Sequence, residues 1–238
     1  MRSTDIGPAV SLTELAYAWP GAASFSIMVE DFAVSTGETV LLLGQSGSGK
    51  STLLSLVCGI FPPDRGRVIV DGVDFSTLGP SQRDRFRAEH IGVIFQLFNL
   101  LPYASAVDNV VLPIEFAPGR RAKLTASPRR AAIEILQGLG LPRSVVEYGP
   151  AAELSVGQQQ RVAVARALIG APSLIIADEP TSSLDGTSQA RFLDLLFENV
   201  QNTGTTLIMV SHDERLAPRF DRTVLLSDIA EVKRGTGT

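Results

Sequence analysis

Thr39-Val40-Leu41-Leu42-Leu43-Gly44-Gln45-Ser46-Gly47-Ser48-Gly49-Lys50-Ser51-Thr52 reads as a buried strand, a glycine-rich turn and the opening of a helix. Gly44, Gly49, Lys50 and Ser51 fall at the spacing of a phosphate-binding loop, and the strand before and amphipathic helix after supply the context that pattern needs. Glycines let consecutive backbone N–H groups turn inward, where together with the positive helix end they cradle phosphate oxygens. Ser46, Gly47, Ser48 and Thr52 complete the predicted cradle. Lys50 places a point charge on β and γ phosphates, and the Ser51 hydroxyl is a ligand for Mg²⁺. The ligand predicted on chemistry is a nucleoside triphosphate with Mg²⁺.

Outward from this loop, the first third is β-rich: Phe25 to Val34 partly alternates, and Arg67 to Val70 precedes an Asp71-Gly72 turn. Brief apolar runs at Ile91 to Phe95, Leu174 to Ala177, Thr206 to Val210 and Thr223 to Leu226 alternate with helical stretches, which predicts a wound, largely parallel α/β sheet. An N-terminal antiparallel β subdomain accompanies it. Between Asn99 and Ala152 six prolines interrupt helical segments, predicting an inserted helical lobe. Ala117 to Ser127, with Arg120, Arg121 and Lys123, reads as a solvated connection within that lobe, and a functional basic patch is the alternative.

The chain has 238 residues and a net charge of -4, which lacks the positive excess of a protein that holds a polyphosphate duplex, so no nucleic-acid partner is expected. Cys58 is the sole cysteine, which excludes an internal disulfide, and with two histidines it cannot build a typical structural zinc site. No apolar run approaches the roughly 20 residues of a membrane helix, and the start of the chain lacks a secretory pattern. A cytoplasmic chain is expected.

Two further stretches decide the class. Leu174-Ile175-Ile176-Ala177-Asp178-Glu179 is an apolar strand ending in adjacent carboxylates, suited to dividing metal holding (Asp178) from polarisation of an attacking water (Glu179). Leu154-Ser155-Val156-Gly157-Gln158 opens a helical run over Gln159 to Ile169. With the phosphate loop, this segment, the Asp-Glu strand and His212 in one order, the chain resembles the nucleotide-binding subunit of an ATP-binding cassette (ABC) transporter over essentially its whole length.

The resemblance implies one ATPase domain, with 1–98 and 158–238 as β-rich subdomain plus phosphate-loop core and 99–157 as helical subdomain. It implies that Gln96 senses Mg²⁺ and the attacking water. Ser155, Gly157 and Gln158 would cap the γ phosphate held by the other copy of a head-to-tail homodimer. Ser182-Ser183-Leu184-Asp185 resembles the family's D-loop, placing Asp185 near nucleotide, and His212 resembles the histidine that contacts the γ phosphate. Trp19 or Tyr17 would stack on adenine. Val156 departs from the family's paired glycines, and a β-branched residue narrows the backbone options there. Hydrolysis of ATP to ADP and phosphate would drive a separate transmembrane permease, with this chain peripheral on the inner face of the cell membrane. The segment Phe95 to Pro102, with Asp108-Asn109-Val110 and Pro113, is similar to the branch that serves lipoprotein-releasing and macrolide-exporting systems. A cell-division-type nucleotide-driven clamp is the alternative.

Overall fold

The computed structural model describes residues 7–20, 25–147, 149–182 and 184–234. Ser183 of the expected D-loop lies outside them. In chain order the elements are β1 (Val10–Ala18), β2 (Phe25–Val34), β3 (Thr39–Leu43), α1 (Lys50–Val57), β4 (Arg65–Val70), β5 (Val73–Asp74), α2 (Pro80–His90) and β6 (Ile91–Ile94). There follow α3 (Ala106–Val111), α4 (Pro118–Ala122), α5 (Pro128–Gly138), α6 (Arg143–Glu147), α7 (Val156–Leu168), β7 (Leu174–Asp178) and α8 (Gly186–Thr203). The chain closes with β8 (Thr206–Ser211), β9 (Arg222–Leu225), α9 (Leu226–Ile229) and β10 (Ala230–Arg234). The chain divides into two compact units, one running to Asp84 and resuming at Thr206, the other spanning Arg85–Thr205.

In the first unit β1 pairs antiparallel with both β2 and β4, and β10 and β5 extend this sheet to the order β10-β2-β1-β4-β5. In β1 Val10 and Leu12 are buried and, past an irregularity between Thr13 and Ala16 where Glu14 takes φ 49°, so are Leu15 and Tyr17; in β2 the buried set changes phase likewise, from Ile27 and Val29 to Phe32 and Val34. β3 is buried at every position and pairs parallel with β8 and β9, with Leu41 opposite Met209 and Leu42 opposite Val224. Such continuous apolar runs suit parallel strands covered on both faces. Cys58 is buried and in no disulfide.

In the second unit β6 and β7 pair parallel, Gly92 opposite Ile175. Between them the chain makes the helical lobe α3 to α6 and then α7. The helices begin where a short polar side chain meets their first free amides: Ser105, Ser127, Ser155 and Asp185 all accept from backbone N–H groups of the first turn. α8 buries Phe192, Leu193, Leu196, Phe197 and Val200, spaced three or four apart along one stripe. Burying each such side chain contributes about 1.5–3 kcal/mol.

The expected solvated connection at 117–127 holds for most of its residues, which are exposed, and is corrected at Arg120. α4 occupies part of it, and Arg120 is fully buried, its guanidinium donating to the carbonyls of Ala88, Ile91, Ala167 and Ile169. The Glu89 carboxylate accepts the backbone N–H groups of Gly119 and Arg120 at 2.9 Å. Burial lowers the Arg120 pKa to about 10, against the opposing pull of Glu89, and leaves it cationic at neutral pH. A basic-looking loop is therefore the pin that joins α4 to the start of β6 and the end of α7.

Candidate functional site

The phosphate loop leaves β3 with the Gly44 N–H donating to the Ser211 carbonyl at 3.2 Å. That bond sets the loop beside the end of β8, and exposed His212 follows directly. Lys50 opens α1 and is buried, its Nζ donating to Gly44 O at 2.6 Å and Gln45 O at 2.9 Å. Gly49, immediately before α1, has φ of 101°, a conformation open to glycine and strained for other residues. A Cβ there would also press on Val232, Ile27 and Phe25 at 3.3–3.4 Å. No side chain caps α1. The Ser48 hydroxyl is buried with no hydrogen-bond partner. An uncapped helix start, a glycine cradle, an ammonium and an orphan hydroxyl form a donor set that fits a phosphate chain.

Trp19 is 37% exposed and Tyr17 only 6%. The indole Nε1 donates to Thr52 Oγ1 at 3.3 Å, fixing Trp19 beside the first turn of α1. Trp19 meets Tyr17 and Phe61 edge-on, with ring centroids 5.7 and 5.0 Å away. Of the two aromatic candidates, Trp19 is the more exposed.

In the second unit β7 delivers Asp178 at its end and Glu179 just beyond. Glu179 takes a left-handed backbone, φ 43°, which for a non-glycine residue costs about 1–2 kcal/mol and turns the chain sharply after the strand. Within this unit the Asp178 carboxylate and the Gln96 amide oxygen are hard oxygen donors of the kind that suits Mg²⁺. Gln96 follows β6 by two residues, exposed, and its Nε2 donates to Ser182 Oγ at 3.2 Å, bringing the Gln96 turn and the D-loop segment together.

Ser155 and Gln158 form a reciprocal capping box: Ser155 Oγ accepts the Gln158 N–H, and Gln158 Oε1 accepts the Ser155 N–H at 2.9 Å. Both side chains fix the start of α7, while the exposed Gly157 leaves backbone without a covering side chain. Val156 sits in the first turn of α7, more than half exposed, where an ordinary helical backbone accommodates a β-branched residue. The helix thus begins three residues before the run read from the sequence.

Asp185 caps α8, accepting from the Thr187 and Ser188 N–H groups and the Ser188 hydroxyl, all at 2.9 Å. The Ser188 bonds are the main reason its carboxyl is held below the ordinary range. In this structure its carboxylate is occupied within its own helix.

Sequence reasoning missed Arg166. It lies inside α7, nine-tenths buried, and its guanidinium donates to Asn99 O at 2.7 Å and to Phe98 O. Burial lowers its pKa. Phe98 and Asn99 both have left-handed backbones, φ 59° and 47°. The available signal was an arginine on the apolar stripe of an otherwise core-facing helix, which demands a buried acceptor.

Comparison with known proteins places these features among relatives. The family model described as ABC transporter matches residues 29–182. The uncharacterized ABC transporter ATP-binding protein YbbA of Escherichia coli K12 is 42% identical over 196 residues, covering 82% of this chain and 83% of that protein. The lipoprotein-releasing system ATP-binding protein LolD of Psychrobacter arcticus is 41% identical over 207 residues, covering 87% and 89%. Among solved structures, the dimeric post-hydrolysis state of the ATP-binding cassette MJ0796 bound to ADP and Pi superposes with a TM-score of 0.78 at 31% identity, covering 96% of this chain and all of that one.

Proposed function

The chain belongs to the ABC transporter family, and on that premise we propose that two copies close head to tail over ATP, hydrolyse it, and drive a separate membrane subunit in export or extraction from the envelope. The observation that carries this reading is the phosphate loop with its orphan Ser48 hydroxyl and Lys50 turned onto the loop's own carbonyls. Lys50 exchanges those carbonyls for phosphate oxygens, and the amides at the start of α1 take the remaining charge. Trp19 stacks on the base. Ser51, Asp178 and Gln96 hold Mg²⁺, which when bound neutralises phosphate charge. Glu179 takes a proton from water as it attacks the γ phosphorus, and His212 donates to the γ phosphate. Ser155 and Gly157 bind the nucleotide of the facing copy. Once the γ phosphate leaves, both copies lose shared contacts and part.

No helix among the described residues is long and apolar enough to cross a membrane. After β6 the second unit exposes the apolar side chains of Leu97 (79%), Tyr103 (78%) and Phe116 (68%). Exposed apolar side chains of this kind fit a membrane subunit's cytoplasmic segment. The chain then lies peripherally on the inner face of the cell membrane. The test is purification of the native complex from solubilised membranes: a stoichiometric integral membrane protein, lost on Leu97→Ser with Tyr103→Ser, supports the reading. A chain that leaves the membrane fraction without any such subunit contradicts it.

A further inference from the structure

We propose that Asp64 is a positioning residue for the nucleotide base: by clamping the segment Phe61-Pro62-Pro63-Asp64 to the end of β1, it sets the pose of Trp19, the next residue along that strand. The inference rests on the reading above, which stacks the base on Trp19.

β1 and β4 pair antiparallel as far as Ala16 opposite Arg65, where β4 begins. From there β1 runs on to Ala18 without β4 beside it. Asp64 takes the place of the missing strand from both directions: its N–H donates to Ala16 O, and its Oδ2 accepts the Ala18 N–H, each at 2.8 Å. A bond from a backbone N–H to a carboxylate is stronger than one to a neutral carbonyl. On its other edge β1 stays paired, Ala18 opposite Ser26, and the Trp19 N–H donates to Phe25 O at 3.2 Å. The strand end that delivers Trp19 is therefore held on both sides, on one of them by a single side chain.

The indole itself is held more loosely than its backbone. Its Nε1 lies 3.3 Å from Thr52 Oγ1, just beyond the usual range for such a bond. The other contacts are ring edges, Phe61 at 5.0 Å and 70° and Tyr17 at 5.7 Å and 80°. Phe61 lies three residues before Asp64, and each of the two prolines between them has one backbone torsion fixed by its ring. A clamp at Asp64 thus carries through to the ring that meets Trp19. An indole already held in the stacking pose has less freedom to lose when a base arrives. Asp64 and Ala18 are both exposed, so without the carboxylate water takes the Ala18 N–H and the fold survives, while the strand end and the Phe61 wall both loosen.

The test sets Asp64→Ala, Asp64→Glu and Asp64→Asn against the parent chain, with ATP affinity read by isothermal titration. Trp19 is the only tryptophan, so acrylamide quenching of the nucleotide-free chain reads its pose directly. Asp64→Ala should raise the dissociation constant for ATP about threefold to tenfold and the quenching constant about twofold. Asp64→Asn keeps an acceptor oxygen for Ala18 and should stay within about twofold of the parent in affinity. Asp64→Glu keeps the charge but displaces it by a methylene; it should lie between parent and Asp64→Ala, and it carries the test if the alanine variant does not fold. In a Trp19→Ala background, Asp64→Ala should change the affinity by less than about twofold, because both substitutions act through one contact. A loss in that background as large as in the parent, or a folded Asp64→Ala chain with parental affinity or parental quenching, overturns the proposal. ATP affinity left unchanged by Trp19→Ala alone instead overturns the stacking reading beneath it.

Discussion

The Lys50 ammonium lies 2.6 Å from the Gly44 carbonyl oxygen, so the loop is closed from its last residues back onto its first. In this arrangement one buried cation both satisfies the loop's own acceptors and waits for a stronger anionic partner. Lys50→Met removes both. Charged hydrogen bonds contribute about 1.5–3 kcal/mol each, so the dissociation constant for ATP should rise at least tenfold, about. Isothermal titration against the parent chain checks this, and an unchanged affinity would remove Lys50 from the phosphate site.

Trp19 is the chain's only tryptophan, which makes intrinsic fluorescence a direct reporter of its position. If its exposed indole receives the adenine, saturating ATP should quench or shift that emission. Trp19→Ala should weaken ATP binding by a few-fold to about tenfold, given about 1 kcal/mol for an aromatic pair. Tyr17→Leu, which removes the ring and keeps an apolar side chain in its buried place, should leave the affinity of the folded variant within about twofold of the parent. The reverse pattern would transfer the role to Tyr17.

Arg120→Met should act on stability and not on chemistry. It strips a fully buried guanidinium from the carbonyls of four residues and leaves them dry, at about 1–3 kcal/mol for each acceptor that finds no replacement. A melting temperature lower by about 10 °C or more is expected. A calorimetric scan of the purified variant decides it, since a shift of only a degree or two would mean that water or a side chain replaces the guanidinium.

Asp185 supplies a pH dependence with a definite sign. Its carboxyl is held low by the Ser188 N–H and hydroxyl and the Thr187 N–H, so the folded chain releases this proton more readily than the unfolded chain. The cap therefore stabilises α8 fully above the ordinary carboxylate range and fades as pH falls through the lowered folded value. Asp185→Asn keeps a capping oxygen without the titration. The difference in melting temperature between parent and variant should be constant near neutrality and change below about pH 4. A difference independent of pH would show that the carboxylate charge contributes nothing there.

The phosphate loop, the carboxylate pair and the alternation of apolar runs were legible because each is local: strand, glycine turn and helix start sit within a few residues of one another. The Ser155 cap was legible as a residue, but its partner Gln158, expected at the nucleotide, spends its side-chain oxygen on the Ser155 N–H. Asp185 likewise serves its own helix. The family order named these positions without revealing which backbone groups their side chains take. Arg120 and Arg166 were hidden for another reason. Their acceptors lie 29 to 68 residues away along the chain; the apolar stripe around Arg166 signals that it is buried, but neither arginine carries a local sign of which distant carbonyl will take it out of water. Left-handed Phe98 and Glu179 are of the same kind, since neither is a residue that favours that backbone, whereas Asn99 is of a type that adopts it more readily.

The most direct test of the shared pocket mixes two inactive chains. Lys50→Met lacks the grip on its own nucleotide, and Ser155→Arg blocks the cover it offers to its partner's. Each alone should hydrolyse ATP at background rate, yet in a one-to-one mixture half the dimers contain one pocket with both Lys50 and Ser155 intact, restoring up to roughly one quarter of the parent rate. Full turnover by the Ser155→Arg chain alone, or no recovery in a mixture shown by sizing to contain mixed dimers, would contradict the account.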